Sequence, residues 1–177
     1  YSGNPLVNVM CLGILRREQL VLGTAGEPGN IAVLLGAATG RDGIGGASIL
    51  ASASFDEESA TMRPSVQVGD PFEEKKLIEA CLELYERDLV VGVQDLGAAG
   101  LSCASAEPAA RAGAGMDLDL DAVHVREPGM TAPELLMSES QERMMAFVDP
   151  SKVDEVLAVA EKWEVAASVV GEVTEGT

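Results

Sequence analysis

Apolar and polar positions recur along this chain in two rhythms, one with a strand's period and one with a helix's. Residues 6–15 (Leu-Val-Asn-Val-Met-Cys-Leu-Gly-Ile-Leu) are aliphatic over a strand's length, and Arg16, Arg17 and Glu18 close the run. Gln19 to Leu22 then reads as a return strand. Gly23 to Gly29 (Gly-Thr-Ala-Gly-Glu-Pro-Gly) reads as a linker, and a domain boundary falls there. Asn30 to Leu35 has the continuous character of a strand covered on both faces. It runs into a glycine-dense loop from Thr39 to Gly46, a short helix from Ala47 to Ser52, and a polar, irregular stretch from Asp56 to Val66.

Asp70-Pro71-Phe72-Glu73 is a strong helix start: an N-cap, a proline at the first helical position, and a glutamate placed to close a capping box. Leu77, Ile78, Cys81, Leu82, Leu84 and Tyr85 follow with the spacing of one buried face. Leu89 to Val93 is the next buried strand and ends at Gln94-Asp95. A helix of small residues covers 98–112, with Pro108 expected to kink or restart it. Met116 to Leu120 alternates as a strand, Ala132 to Met137 is a short helix, and Arg143 to Val148 is another strand. Asp149-Pro150 opens an amphipathic helix to Trp163 in which Val153, Val156, Leu157 and Ala160 share a face, and Val165 to Val173 closes the chain as a strand. Strands and helices in alternation imply an α/β or α+β sandwich.

The 177 residues, 47% of them apolar, describe a globular chain of one domain with at most part of a second. No uncharged run approaches the roughly 20 apolar residues of a membrane span, so no membrane association is expected. Against 12 Lys and Arg stand 29 Asp and Glu, a net charge of −17. A phosphate-backbone partner needs clustered cations, so nucleic acid is excluded as well. Cys11, Cys81 and Cys103 form no CxxC pair and read as buried free thiols, which suits a reducing compartment. The opening Tyr1-Ser-Gly-Asn-Pro has neither an initiator Met nor a signal-peptide pattern, and reads as a piece of something longer.

Several residues invite chemistry. Asp95 stands at the end of a buried strand before Gly97-Ala-Ala-Gly100, where a carboxylate can hold Mg²⁺ beside a phosphate or simply cap the following helix. The loop Thr39 to Gly46 can cradle a phosphate through its N–H groups or merely turn tightly; it matches neither a Walker loop nor a dinucleotide fingerprint. Glu139, Ser140 and Gln141 offer hydrogen-bonding groups in succession at the mouth of a strand, and Gln67 has similar standing. Asp117, Asp119 and Asp121 alternate with leucines as the wet face of a strand and lack the pattern of a calcium loop. His124, the sole histidine, reads as solvated or locally hydrogen-bonded.

Taken in order, Gly40-Arg-Asp-Gly-Ile-Gly-Gly-Ala47, Gln67-Val-Gly-Asp-Pro-Phe-Glu-Glu-Lys75, Val93-Gln-Asp-Leu-Gly-Ala-Ala-Gly-Leu101 and Leu136-Met-Ser-Glu-Ser-Gln-Glu-Arg-Met144 resemble one family, the large synthetase subunit of phosphoribosylformylglycinamidine synthase. The resemblance runs over nearly the whole chain. It implies an α+β fold of α/β/α layers with a mixed sheet flanked by helices, the C-terminal domain type of the aminoimidazole ribonucleotide synthetase superfamily. Residues 1–26 would be the tail of an N-terminal domain with its linker, and residues 27–177 the C-terminal-type domain.

The implied reaction is that of an ATP-dependent carbon–nitrogen ligase of purine biosynthesis. Formylglycinamide ribonucleotide, ATP and glutamine-derived ammonia give the amidine, with Mg²⁺ on the polyphosphate. Matched by motif, Asp95 would bind Mg²⁺, and Gln67, Glu139, Ser140 and Gln141 would bind substrate. No catalytic residue falls in this chain: the family's catalytic His and Lys belong to the missing N-terminal domain, so the fragment alone would be inactive. Implied partners are a glutaminase and a small bridging subunit, and the implied location is the cytoplasm. Two rivals remain open, another synthetase of the superfamily (selenophosphate, thiamine-phosphate or aminoimidazole ribonucleotide type) and a non-catalytic interaction module of the same fold.

Overall fold

The computed structural model describes residues 8–44, 67 and 69–176. Among these, five strands and four α-helices are laid down in the order β1 (Ile31–Gly36), α1 (Pro71–Glu86), β2 (Gly92–Asp95), α2 (Gly100–Ala112), β3 (Ala114–Leu118), α3 (Ala132–Met137), β4 (Arg143–Val148), α4 (Val153–Lys162) and β5 (Ala167–Glu175). The strands form one sheet in the order β2-β4-β1-β5-β3. Every pairing is antiparallel, so the sheet is not the mixed one expected, although the α+β class and the layering hold.

β1 lies at the centre because its residues are apolar on both sides, and each side finds its own cover. Val33 and Leu35, with Ala146 and Val148 of β4, pack under Leu77, Cys81 and Leu84 of α1 and Val156 and Val159 of α4. Ala32 and Leu34, with Met145 and Phe147, pack on the other side against Leu101 and Ala104 of α2 and Leu135 of α3. The register Leu34↔Met145 and Ala32↔Phe147 follows from this alternation, since a slip by one residue would exchange the two cores.

The helix starts behave as their residues dictate. The Asp70 carboxylate accepts the N–H groups of Phe72 and Glu73, but Glu73 pairs with Lys76 and closes no box. The Asp70 N–H instead donates to Glu142 Oε1 at 2.9 Å. The reciprocal box occurs at α3, between Thr131 and Glu134.

Other expectations need correction. Residues 8–15 form no strand, nor do 19–22; Val9, Met10, Leu12 and Ile14 lie exposed, with no apolar face among the described residues to cover them. On α1, Ile78 and Leu82 are half-exposed, because the buried stripe is Leu77, Ala80, Cys81 and Leu84. Leu89 and Val90 are buried but precede β2, which starts at Gly92. Pro108 does not interrupt α2, which continues to Ala112, and its carbonyl accepts the Ala25 N–H at 3.1 Å. Cys81 is the buried thiol, whereas Cys103 is half-buried and Cys11 exposed. The expected helix at 47–52, the polar stretch at 56–66 and the loop glycines Gly45 and Gly46 lie outside the described residues.

Candidate functional site

Strand register assembles the site. Gly36, the last residue of β1, pairs with Arg143, the first of β4, and Asp95, the last of β2, pairs with Met144. The loop after β1, the loop after β2 and the turn before β4 therefore emerge side by side at one rim of the sheet. Two residues there, Ala99 and Glu142, hold left-handed backbone with φ of 59° and 56°. The other two described non-glycine residues with positive φ, Asp88 and Glu164, lie just past the ends of α1 and α4.

At this rim the Glu139 carboxylate joins two loops. Its Oε1 accepts the Ala99 N–H at 3.0 Å and its Oε2 accepts Gln67 Nε2 at 3.0 Å. A carboxylate can only accept, so the amide nitrogen of Gln67 must face it, and the amide Oε1 is left to act as an acceptor elsewhere. Gln67 is exposed and Glu139 buried, which makes the pair a solvent-facing amide on a fixed base.

The other predicted residues divide between outside and inside. Asp95 is exposed and accepts Gln94 Nε2 at 2.7 Å on its Oδ1. Gln141 donates from Nε2 to the Glu139 carbonyl at 3.0 Å. Asp95 and Gln141 both line a groove of about 360 Å³ beside the rim, with Leu77, Cys81, Tyr85 and Met144 on its apolar wall. Burial pushes the Cys81 thiol up to about 11, so it stays protonated there. Ser140 faces inward: its hydroxyl donates to the Asp42 carboxylate and accepts the Gly40 N–H at 3.0 Å.

Beneath the rim lies a polar knot to which the sequence reading gave no role. Arg143 is buried and donates to the Ser140 carbonyl at 2.8 Å, the Ser138 carbonyl at 2.6 Å and Thr39 Oγ1 at 2.9 Å. Burial lowers its pKa to about 10, opposed by the nearby Asp42 carboxylate, so it remains charged at neutral pH. Asp42, also buried, takes Arg126 Nη2 on Oδ1 at 2.5 Å. The available signal was a charged residue opening the otherwise apolar strand Arg-Met-Met-Ala-Phe-Val, and an Asp in a loop of glycines. Arg41 fastens the same loop outward to Glu127 and Glu134, and with Thr131 it holds the Glu134 carboxyl down to about 2.

The glycine loop therefore has a described part with a clear duty. Gly43 has φ +62°, and a Cβ built there would lie 2.6 Å from Glu139 Cβ and 2.8 Å from Glu139 Oε2. Only glycine lets the loop come this close. His124 is locally hydrogen-bonded as expected: Nε2 donates to the Gly36 carbonyl at 3.1 Å, and Nδ1 accepts from Ser168 Oγ at 2.9 Å. Its burial lowers its pKa.

Mg²⁺ bound with a nucleotide usually keeps several waters and takes one or two carboxylates plus phosphate oxygens. Among the described residues no group of three or more His, Cys, Asp or Glu side chains could hold an ion. Asp95, one exposed carboxylate on the rim, fits an ion shared with phosphate and does not fit a closed protein cage.

An antiparallel sheet between two helical layers, with polar groups converging on one rim, defines an α+β domain. The chain belongs to the family of AIR synthase related proteins, as their C-terminal domain, which matches residues 27–177. It is 64% identical over its full length to the Phosphoribosylformylglycinamidine synthase subunit PurL of Thermobifida fusca, and covers 23% of that protein. Among solved structures it resembles T. maritima PurL complexed with FGAR, at 46% identity and a TM-score of 0.84, covering 91% of this chain and 26% of that one. T. maritima PurL complexed with ATP aligns at 43% identity and a TM-score of 0.76, covering 91% of this chain and 24% of that one. The chain thus spans about a quarter of the length of the relatives it matches.

Proposed function

We propose that this chain is the C-terminal-type domain, with a preceding tail over residues 1–26, of an ATP-dependent ligase of purine biosynthesis. The complete enzyme converts formylglycinamide ribonucleotide, ATP and glutamine-derived ammonia to formylglycinamidine ribonucleotide. The observation that carries this reading is the meeting of Gln67 and Glu139, 72 residues apart in sequence, at 3.0 Å on the rim. Relatives named for this reaction, and a similar structure complexed with FGAR, support the choice of ligand.

The chemical difficulty is an amide carbonyl that resists attack by ammonia. Phosphorylation of the amide oxygen by ATP gives an iminophosphate, and ammonia then displaces phosphate. In this scheme the chain binds and orients. The Gln67 amide, fixed by Glu139, presents its carbonyl to donors on the ribonucleotide, and Gln141 adds a further amide beside it. Ser140 serves from behind, through the turn it stabilises. Asp95 is the described residue that would hold Mg²⁺, which when bound neutralises phosphate charge. A glutaminase and a small bridging subunit would complete the ammonia supply, in the cytoplasm. The chain by itself would turn nothing over, since the acid–base groups of the reaction would lie in an N-terminal domain of the complete enzyme.

The test uses the complete subunit with Gln67→Ala and Glu139→Ala. Loss of a hydrogen bond to a charged group costs about 1.5–3 kcal/mol, or roughly ten- to a hundredfold. KM for the ribonucleotide is expected to rise by that factor while KM for ammonia holds. Parental ribonucleotide KM in both variants would overturn the reading.

A further inference from the structure

Glu139 depends for its position on Asp42, a residue that is not among the five assigned to substrate or metal. The Asp42 carbonyl accepts the Glu139 N–H at 2.8 Å. The Asp42 carboxylate takes the hydroxyl of the next residue, Ser140, and is itself held by Arg126. One residue further on, Gly43 packs against the Glu139 side chain at a distance only a hydrogen atom allows. Asp42 therefore holds the Glu139 N–H through its carbonyl and the side chain of the following residue, Ser140, through its carboxylate, while Gly43 packs over the Glu139 side chain. Asp42 and Ser140 are both buried, so neither side chain reaches out to a ligand directly.

We infer that Asp42 is a positioning residue for substrate binding, its carboxylate acting through Ser140, the residue that follows Glu139. It sets the Glu139 carboxylate where one oxygen meets the Ala99 N–H and the other fixes the Gln67 amide. The inference rests on the proposed role of Gln67 and Glu139 in binding the ribonucleotide. A displacement of a fraction of an ångström at Glu139 passes straight to Gln67, and a binding group needs its geometry held within about 0.5 Å. A stiff buried carboxylate accepting two directed bonds supplies that; an aliphatic side chain filling the same volume would pack as well but direct nothing.

The experiment uses the complete subunit carrying Asp42→Ala, Asp42→Asn, Glu139→Ala and the two double variants, with KM for ribonucleotide and ammonia, kcat and thermal midpoint measured for each. Asp42→Ala is expected to raise ribonucleotide KM about tenfold, leaving ammonia KM unchanged. Asp42→Asn keeps the shape and an acceptor oxygen, so it folds and raises KM two- to fivefold. Both increments vanish in the Glu139→Ala background, because the two residues act through one path. A parental KM in Asp42→Asn beside a raised one in Glu139→Ala overturns the inference and spares the binding reading, as does an increment that persists in the double variant. A parental KM in Glu139→Ala overturns both. The Asn variant decides the matter even if Asp42→Ala fails to fold.

Discussion

The two ends of the same strands live under different physics. Along the face covered by α1 and α4, Val33, Leu35, Ala146, Val148, Val156 and Val159 meet as aliphatic surfaces with no directional demand. At the rim, the ends of β1 and β4 lead into Thr39, Asp42, Ser138, Glu139, Ser140 and Arg143, all buried and tied by directed bonds. No buried side-chain N or O among the described residues lacks a partner. Burial of apolar surface tolerates small displacements, whereas an unsatisfied polar group in the same setting costs its full desolvation. The aliphatic face supplies stability by area, and the rim converts part of that stability into fixed direction.

Perturbations that separate the two regions sharpen the contrast. The largest effect is expected from Arg143→Met, which leaves three acceptors without their donor. Removing one member of a buried charged network costs about 3–5 kcal/mol, read as a shift in denaturant midpoint, and on the proposed reading the complete subunit's KM for the ribonucleotide should rise with it. Leu84→Ala opens a cavity under α1, where Leu84 is fully buried. It should cost about 2–5 kcal/mol and leave KM at the parental value. A KM change in Leu84→Ala, or none in Arg143→Met, would break the division.

A smaller effect follows from His124, whose folded-state pKa lies below its unfolded value near 6.5. The unfolded chain then binds the proton more readily than the folded one. Stability from the neutral ring is complete above that unfolded value and is lost as pH falls toward the lowered one. A His124→Gln variant should show a flatter dependence of denaturant midpoint across that window. Smallest in energy are the thiols. Iodoacetamide should label exposed Cys11 readily and leave Cys81, protonated and buried on the inner face of α1, unmodified in the folded protein. Fast labelling of Cys81 would show that the groove wall opens.

This division also governs what could be read from the chain. Where apolar residues repeat with a regular period, the elements came out close to their observed bounds: Ala132–Met137 and Arg143–Val148 coincide with α3 and β4, and 98–112 nearly with α2. Residues 8–15 misled because aliphatic composition alone does not supply a pairing partner. The sheet's antiparallel pairing was out of reach, since strand direction depends on contacts between distant segments. Gln67 and Glu139 stood out as hydrogen-bonding groups and gained a substrate role by resemblance, and their contact is a fact of three-dimensional structure. Asp42 and Arg143 were passed over because a charged residue in a loop or at a strand end reads as solvated. Only the register Gly36↔Arg143 brings it indoors.

One further detail bears on how copies of this domain could meet. The outer side of β2 is already occupied: the Val93 N–H donates to the Leu22 carbonyl at 3.1 Å, and the Thr24 carbonyl crosses so close to Gly92 that a Cβ there would stand 2.0 Å from it. With that margin strapped at Gly92 and Val93, a foreign strand is kept from pairing there. Sheet extension between molecules would have to run through β3, the terminal strand on the opposite side, which pairs with β5. Self-association by that route would leave the rim carrying Gln67 open to small molecules.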